Sequence, residues 1–364
     1  MFVFLQTSRA YFQHYTFENW KGSRAKNYTT IFYQERGYVE EAGPAYILKG
    51  IGEYPVTTYA SGGINMIPMY PYYSQETKCQ QVPITFPPQH QEQQPGLEYK
   101  MNPLPIFDNP DYKGSGELAG KVAIITGGDS GIGRAVAIGF AKEGADVAIA
   151  FLYEREDASV TKQMVEQLGR RCLLIEGDLR RPEFSSEVVR KTLECYGKVH
   201  IVVLNQGVQF PQDNILNISD EQLEDTYRTN IFPHFYMTKA ALPYLKPGST
   251  IISTASVTAY AGAPLLIDYS STKGAIVSFT RSLALQLVNR GIRVNAVAPG
   301  PIWTPLIVSS YSAEYVKTFG LETPMRRAGQ PFELAPAYIY LASEDSSFVT
   351  GQVLHVNGGI MTET

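Results

Sequence analysis

The chain has 364 residues, 44% of them hydrophobic and 18% charged, with a formal net charge of -4. That length holds a full hydrophobic core plus an appendage, and the faintly acidic balance gives no basis for a nucleic-acid partner. No stretch approaches the ~20 apolar residues of a membrane span. Cys79, Cys172 and Cys195 fall in no metal-like or disulfide-like spacing, so the expected setting is the reducing cytoplasm and no metal site is expected.

Residues 1–113 form an irregular lead rich in Tyr, Pro and Gly. Met69-Tyr70-Pro71-Tyr72-Tyr73 and the run from Phe86 to Gly96 read as extended, polyproline-like chain. Such sequence buries too little to offset its own ordering entropy, so a flexible tail partly wrapped on the main body is expected. A second reading is that residues 1–65 are not native to the protein, with Met66 or Met69 as the true start. A third gives the tyrosines an adhesive role.

From residue 114 onward the text is regular. Lys121–Thr126 is a short apolar β run that leads into Gly127-Gly128-Asp129-Ser130-Gly131-Ile132-Gly133 and a helical pattern over 134–143; Ala145–Phe151 is a second strand. This is a βαβ unit with a glycine turn, whose helix N-terminus offers N–H groups and a positive dipole end to a pyrophosphate. A third strand, Arg171–Gly177, ends at Asp178-Leu179. There follow a helix over Pro182–Tyr196, a strand over Val199–Leu204, and a long helix over Asp220–Leu245 with Ser219 as N-cap. Strands are expected at Thr250–Ser253, Arg293–Ala298 and Gln352–Val356. Helices are expected over Gly274–Asn289, preceded by Tyr269, and over Pro331–Ser343. Such alternation predicts an α/β fold, a doubly wound parallel sheet in a three-layer αβα sandwich, with ligand at the carboxyl ends of the strands. Thr126, Asp178, Asn205, Ser256 and Pro299 all follow strands and so converge on that edge.

Tyr269 and Lys273 stand four residues apart, so one helix face carries both. The ammonium is expected to favour phenolate and to lower the tyrosine pKa from about 10 toward neutrality, where the group serves as acid or base. Alone, such a pair more often marks a solvated helix face. Ser256, thirteen residues upstream, and the glycine turn change the balance. Asp268 reads as a cap of the helix, and His234 and His355 as ordinary core or surface residues.

Thr126–Gly133 resembles the T-G-x-x-x-G-I-G turn of the short-chain dehydrogenases/reductases. Asn230, Ser256, Tyr269 and Lys273 match that family's tetrad in identity, order and spacing, and Pro299-Gly300-Pro301-Ile302-Trp303-Thr304 matches its P-G-x-x-x-T segment. The resemblance covers about residues 114–364. It is strongest toward the glucose/ribitol-dehydrogenase-like general-stress oxidoreductases and aldehyde reductases, which also carry a proline-rich lead such as Phe86 to Asp111. It implies that Tyr269 is the acid/base, that Lys273 favours phenolate and bonds the nicotinamide ribose, and that Ser256 holds the substrate oxygen. Asn230, by the same resemblance, holds a water linking Lys273 to solvent. One segment departs: Leu204-Asn205-Gln206-Gly207 stands where the family shows N-N-A-G, which puts the side-chain contacts on the adenosine side in doubt.

Cofactor contacts are expected from Gly127, Asp129, Ser130, Gly131, Ile132, Gly133, Asp178, Leu179, Asn205, Tyr269, Lys273, Pro299, Gly300, Ile302 and Thr304. At the end of the second strand, where an acid would bond the ribose hydroxyls and repel a 2′-phosphate, stands Phe151; Arg155 just beyond could pair with that phosphate. NADP(H) is therefore expected over NAD(H). The segment from Trp303 to Leu321, with Leu306, Ile307, Val308, Tyr311, Tyr315 and Phe319, reads as an apolar lid suited to an aldehyde, ketone, sugar or polyol. A non-catalytic nucleotide-binding or structural protein on the same fold is the alternative. The family further implies a dimer or tetramer built on the two long helices.

Overall fold

Alternation along each central strand sends successive side chains to opposite faces, so a strand that is apolar throughout must be covered on both sides. Val122–Thr126 (β1) and Asp146–Phe151 (β2) are buried at every position. Ala123, Ile125, Val147 and Ile149 pack against Val136 and Phe140 on one face. Val122, Ile124 and Ala148 pack against Val188, Met237 and Leu287 on the other.

The computed structural model describes residues 81–362, together with the short strands Gln6–Thr7, Ala10–Tyr11 and Met69–Pro71. Contacts divide the chain into two compact units, Met1–Ile64 and Asn65–Thr364, and the sheet and its helices belong to the second. The readings that concern residues 1–65 fall almost wholly outside the described residues.

After β1 come helix Gly131–Lys142 (α1), β2, helix Arg155–Gln167 (α2), strand Cys172–Glu176 (β3) and helix Pro182–Tyr196 (α3). Strand Ile201–Leu204 (β4) precedes helices Asp220–Asn230 (α4) and Phe232–Ala241 (α5). Strand Thr250–Thr254 (β5), helix Ile267–Leu287 (α6), strand Arg293–Pro299 (β6), helix Ala335–Ala342 (α7) and strand Val353–Val356 (β7) complete the fold. The seven strands are ordered β3-β2-β1-β4-β5-β6-β7, every pair parallel. The order reverses between β1 and β4, which opens a crevice at their carboxyl ends.

The single helix expected over Asp220–Leu245 is two helices. Pro233 cannot donate to the Thr229 carbonyl four residues back, and its ring crowds that carbonyl. The chain turns at Ile231 (φ -119°). Gln206 Nε2 lies 3.4 Å from the freed Thr229 carbonyl, which gives this family departure a structural role.

The lead from Phe86 to Tyr112, of which Phe86–Gly96 is expected as polyproline-like chain, is largely irregular, with one 3-10 turn at Glu98–Lys100, and is pinned along the body. Phe86 stacks on Trp303 at 3.7 Å and 9°. Trp303 Nε1 donates to the Pro103 carbonyl (3.0 Å), and Ile106 N–H donates to Gln330 Oε1 (2.9 Å). Phe86 and Trp303 are 3% and 0% exposed, so Phe86→Ala leaves a cavity against an immobile indole. It should cost about 3 kcal/mol of stability, read by denaturant unfolding; a loss below about 1 kcal/mol would mean that this segment is not part of the folded core.

Candidate active site

A cavity of ≈ 540 Å³ lies at the carboxyl edge of the sheet, within the range of small-ligand sites. Of the residues expected there, Gly127, Asp129, Ser130, Gly131, Ile132, Asp178, Leu179, Asn205, Ser256, Tyr269, Lys273, Pro299, Gly300, Ile302 and Thr304 all line it. Three do not. Gly133 stands behind the turn, where a Cβ would come 1.9 Å from the Gly127 carbonyl oxygen, so only glycine lets α1 approach β1 this closely. Arg155 is exposed and its guanidinium is held by Glu176, its Nη2 at 2.9 Å. The carboxylate across on β3 thus holds the charge that sequence proximity assigned to a phosphate.

Asn230, the third, is fully buried one layer back. Its Oδ1 accepts from Val208 N–H (2.8 Å), and its Nδ2 donates to the Val208 carbonyl (2.9 Å) and to Thr272 Oγ1 (3.1 Å). It thereby fixes the loop after β4 to the helix that carries Tyr269 and Lys273. A Cβ on Gly207 would touch both Asn230 Oδ1 (3.5 Å) and Lys273 Nζ (3.7 Å), so a glycine keeps open the space between them.

Tyr269 and Lys273 sit in the first two turns of α6. Asp268 anchors that end: its carboxylate accepts from Tyr269 N–H (2.8 Å), Gln222 Nε2 (3.0 Å) and Thr226 Oγ1 (2.9 Å), tying α6 to α4. Lys273 Nζ donates to the Thr254 carbonyl at the end of β5 (2.8 Å) and lies 5.3 Å from the centroid of the Tyr269 ring. Ser256, two residues past that strand, hydrogen-bonds the Tyr269 phenol and accepts from Thr258 N–H (3.1 Å) and Oγ1 (3.0 Å). The three groups meet as expected.

The expected depression of the tyrosine pKa does not occur. Burial pushes Tyr269 up to about 12, only partly opposed by the bond from Ser256. Burial also pulls Lys273 down to about 7. Removal of each charged form from water outweighs their attraction, so in the protein alone the phenol keeps its proton and the amine titrates near neutrality.

Around this centre, Asn205 Nδ2 donates to the Gly127 carbonyl (3.1 Å), its N–H to Thr126 Oγ1 (2.9 Å), and Thr254 Oγ1 donates to its Oδ1 (3.0 Å). One asparagine therefore locks the glycine turn to β5. Burial and the nearby Glu154 raise Asp129 to about 7. Leu306, Ile307, Tyr311, Tyr315 and Phe319 line the lid side, with Tyr311 stacked on Tyr315 at 4.3 Å. Trp303 and Val308, expected there, are core residues at 0% exposure. His234 is buried edge-on to Phe279 and held neutral by burial, down to about 3; His355 contacts Tyr260. Among the described residues no group of three or more His, Cys, Asp or Glu is placed to hold a metal, and no helix is long and apolar enough to cross a membrane. Sequence reasoning missed Gln94, Pro95 and Gly96, which line the cavity from the lead segment, because side-chain bonds to distant loops leave no periodic trace.

Residues 127–361 match the family model described as Enoyl-(Acyl carrier protein) reductase. The chain belongs to the short-chain dehydrogenase/reductase family and is an NAD(P)-dependent oxidoreductase. It is 50% identical to a glucose and ribitol dehydrogenase of Daucus carota over 280 residues, 75% of this chain and 96% of the relative. It is also 50% identical to NADPH-dependent aldehyde reductase 1, chloroplastic, of Arabidopsis thaliana over 278 residues, 74% and 96% of the two chains. A short-chain dehydrogenase of Burkholderia cenocepacia, solved in complex with NADP, superposes with a TM-score of 0.63 at 28% identity, covering 67% of this chain and 98% of that one.

Lys273 yields a pH-dependent prediction. Its folded pKa, about 7, lies below the ~10.4 of an exposed lysine, so between those values the unfolded chain binds more protons. The residue therefore costs stability at neutral pH and below, and the cost fades as pH rises toward ~10.4. Lys273→Met should stabilise the ligand-free protein by roughly 1–4 kcal/mol at about pH 6 and by little at about pH 10. Denaturant melts at both values check this; a gain independent of pH would contradict it.

Proposed function

We propose that this protein interconverts a carbonyl and a hydroxyl group on a small substrate, with Tyr269 as the acid/base. The observation that carries this reading is the Tyr269–Ser256–Lys273 cluster on the wall of the same cavity as the glycine turn. A nicotinamide dinucleotide fits the residues present. The turn is held open by Asn205, and α1 begins at the cavity wall with its N-terminal N–H groups. When bound, that cofactor supplies or accepts the hydride.

The chain's own groups do the rest. Gly127 to Ile132 would hold the pyrophosphate, Asp178 and Leu179 the adenine end, Ile302 and Thr304 the carboxamide, and Lys273 the ribose. Ser256 hydrogen-bonds the substrate oxygen where negative charge develops. Tyr269 gives its proton to that oxygen in reduction and takes it back in oxidation. Burial keeps the phenol protonated in the ligand-free protein, the form that donates in reduction. Asn230, held between Val208 and Thr272, keeps Lys273 in reach of a water near Gly207. The apolar wall of Leu306, Ile307 and Phe319 suits aldehydes and ketones; the relative named for glucose and ribitol supports sugars and polyols. Cytoplasm remains the proposed setting, consistent with the free Cys172 and Cys195. Exposed Phe232, Phe235 and Tyr244 on or just after α5 and Leu285 on α6 support a homo-oligomer, dimer or tetramer, through those helices.

NADP(H) is the proposed preference, supported by Phe151 in place of an acid and by the name of the aldehyde-reductase relative. Arg155, exposed beside the end of β2, would exchange Glu176 for the 2′-phosphate.

Tyr269→Phe should lower kcat by about 10³-fold or more while cofactor binding, followed by fluorescence titration, stays within a few-fold. Activity on a screened panel of aldehydes, ketones and polyols that survived this change would refute the acid/base role. A kcat/KM with NADH equal to or above that with NADPH would overturn the cofactor preference.

A further inference from the structure

Gln94, Pro95 and Gly96 belong to the wall of the catalytic cavity although they come from the lead segment, far from the sheet in sequence. They are tied down on both sides of it. On the β2 side, the Tyr153 hydroxyl donates to the Pro95 carbonyl (2.6 Å), and the Asp157 carboxylate accepts from the N–H groups of Glu98 (2.7 Å) and Tyr99 (3.0 Å). On the lid side, Gln91 N–H donates to the Val308 carbonyl (2.7 Å) and Gln94 Nε2 to the Ser309 carbonyl (3.3 Å). Gln94 also grips the loop after β4: Nε2 donates to the Gln209 carbonyl (2.5 Å) and Oε1 accepts from Gln209 N–H (3.1 Å).

Two features make this crossing tight. Gly96 passes so close to the lid that a Cβ there would lie 2.6 Å from the Pro305 carbonyl oxygen. Next to it, the fully buried Glu98 accepts from Gly131 N–H in the glycine turn (2.6 Å) and pairs with Arg134 of α1. The crossing strand is thus joined to the floor of the cavity as well as to its rims.

We propose that Gln94–Gly96 is a gate over the dinucleotide cleft, which must open for the nicotinamide cofactor to enter or leave. The proposal rests on the reading of this cavity as a dinucleotide site. Gln94–Gly96 shares the cavity wall with Asp178 after β3 and Pro299 at the end of β6, the two ends of the run along the carboxyl edge that a dinucleotide would occupy. Gln94 bonds the backbone of Gln209 and Ser309, and those bonds hold the gate shut. Loosening it raises the open population and should speed entry as well as release.

Stopped-flow fluorescence on the full chain tests this. Association of NADPH and NADH is followed directly, and release by displacement with excess oxidised cofactor, for wild type, Gln94→Ala and Tyr153→Phe. Gln94→Ala, which loses three hydrogen bonds, should raise both rate constants about tenfold, and Tyr153→Phe, which loses one, about threefold. Kd should change less than either rate. Unchanged rates in both variants would overturn the gate. So would faster release with unchanged association, which is the mark of a damaged floor. Failure of the wild type to bind either nucleotide would overturn the dinucleotide reading together with the gate, whereas binding with unaltered rates removes the gate alone.

Discussion

The structure depends on a lysine ammonium almost wholly withdrawn from bulk solvent. Lys273 has no ion pair among the described residues; its Nζ is steadied by one backbone carbonyl, that of Thr254, and by the face of the Tyr269 ring. A buried charge with so few partners is costly. It persists only because the surrounding elements over-determine its position: β5 presents the carbonyl, and α6 is fixed at its start by Asp268 and along its length by Asn230 and Thr272. Stability is given up at this point for a group whose charge can change near neutral pH.

The same constraint explains why so much of the chain serves one edge of the sheet. Asn205 ties the glycine turn to Thr254, the residue that also holds Lys273. The glycine turn after β1 and the Lys273 site at the end of β5 are therefore bridged by Asn205 after β4, across the point where the strand order reverses. The lead segment adds a third layer, bonded to the turn through Glu98 and to the lid through Gln94.

The sheet and most helices were legible because their chemistry is local and repetitive. β1 and β2 are apolar at successive positions because both faces are covered, and α3 shows its Pro at the start and Gly197 in the left-handed region at its end. Helix α2 left no clear signal: it is largely polar, with Asp157 and Thr161 among its few buried residues. The break at Ile231 was written in Pro233 but masked by continuous helical periodicity on both sides. The proximity of Ser256, Tyr269 and Lys273 was legible from identity and spacing, whereas protonation was not. Four-residue spacing establishes proximity of Tyr269 and Lys273, but the sign of their pKa shifts is set by burial, which emerges only when β5, α4 and α6 come together. The pairing of Arg155 was hidden for a similar reason: its partner, Glu176, is distant in sequence and adjacent across the sheet. In the lead segment, side chains bond backbone groups of three separate loops, and no pattern in Gln, Pro and Gly announces that.

The most direct test is an NMR titration of the Lys273 side chain in the ligand-free protein, with labelled lysine and Lys273→Met for assignment. The ammonium should lose its proton near pH 7, well below an ordinary lysine. A Lys273 that stays protonated to about pH 10, as an exposed lysine does, would contradict the buried, poorly compensated charge on which the site is built.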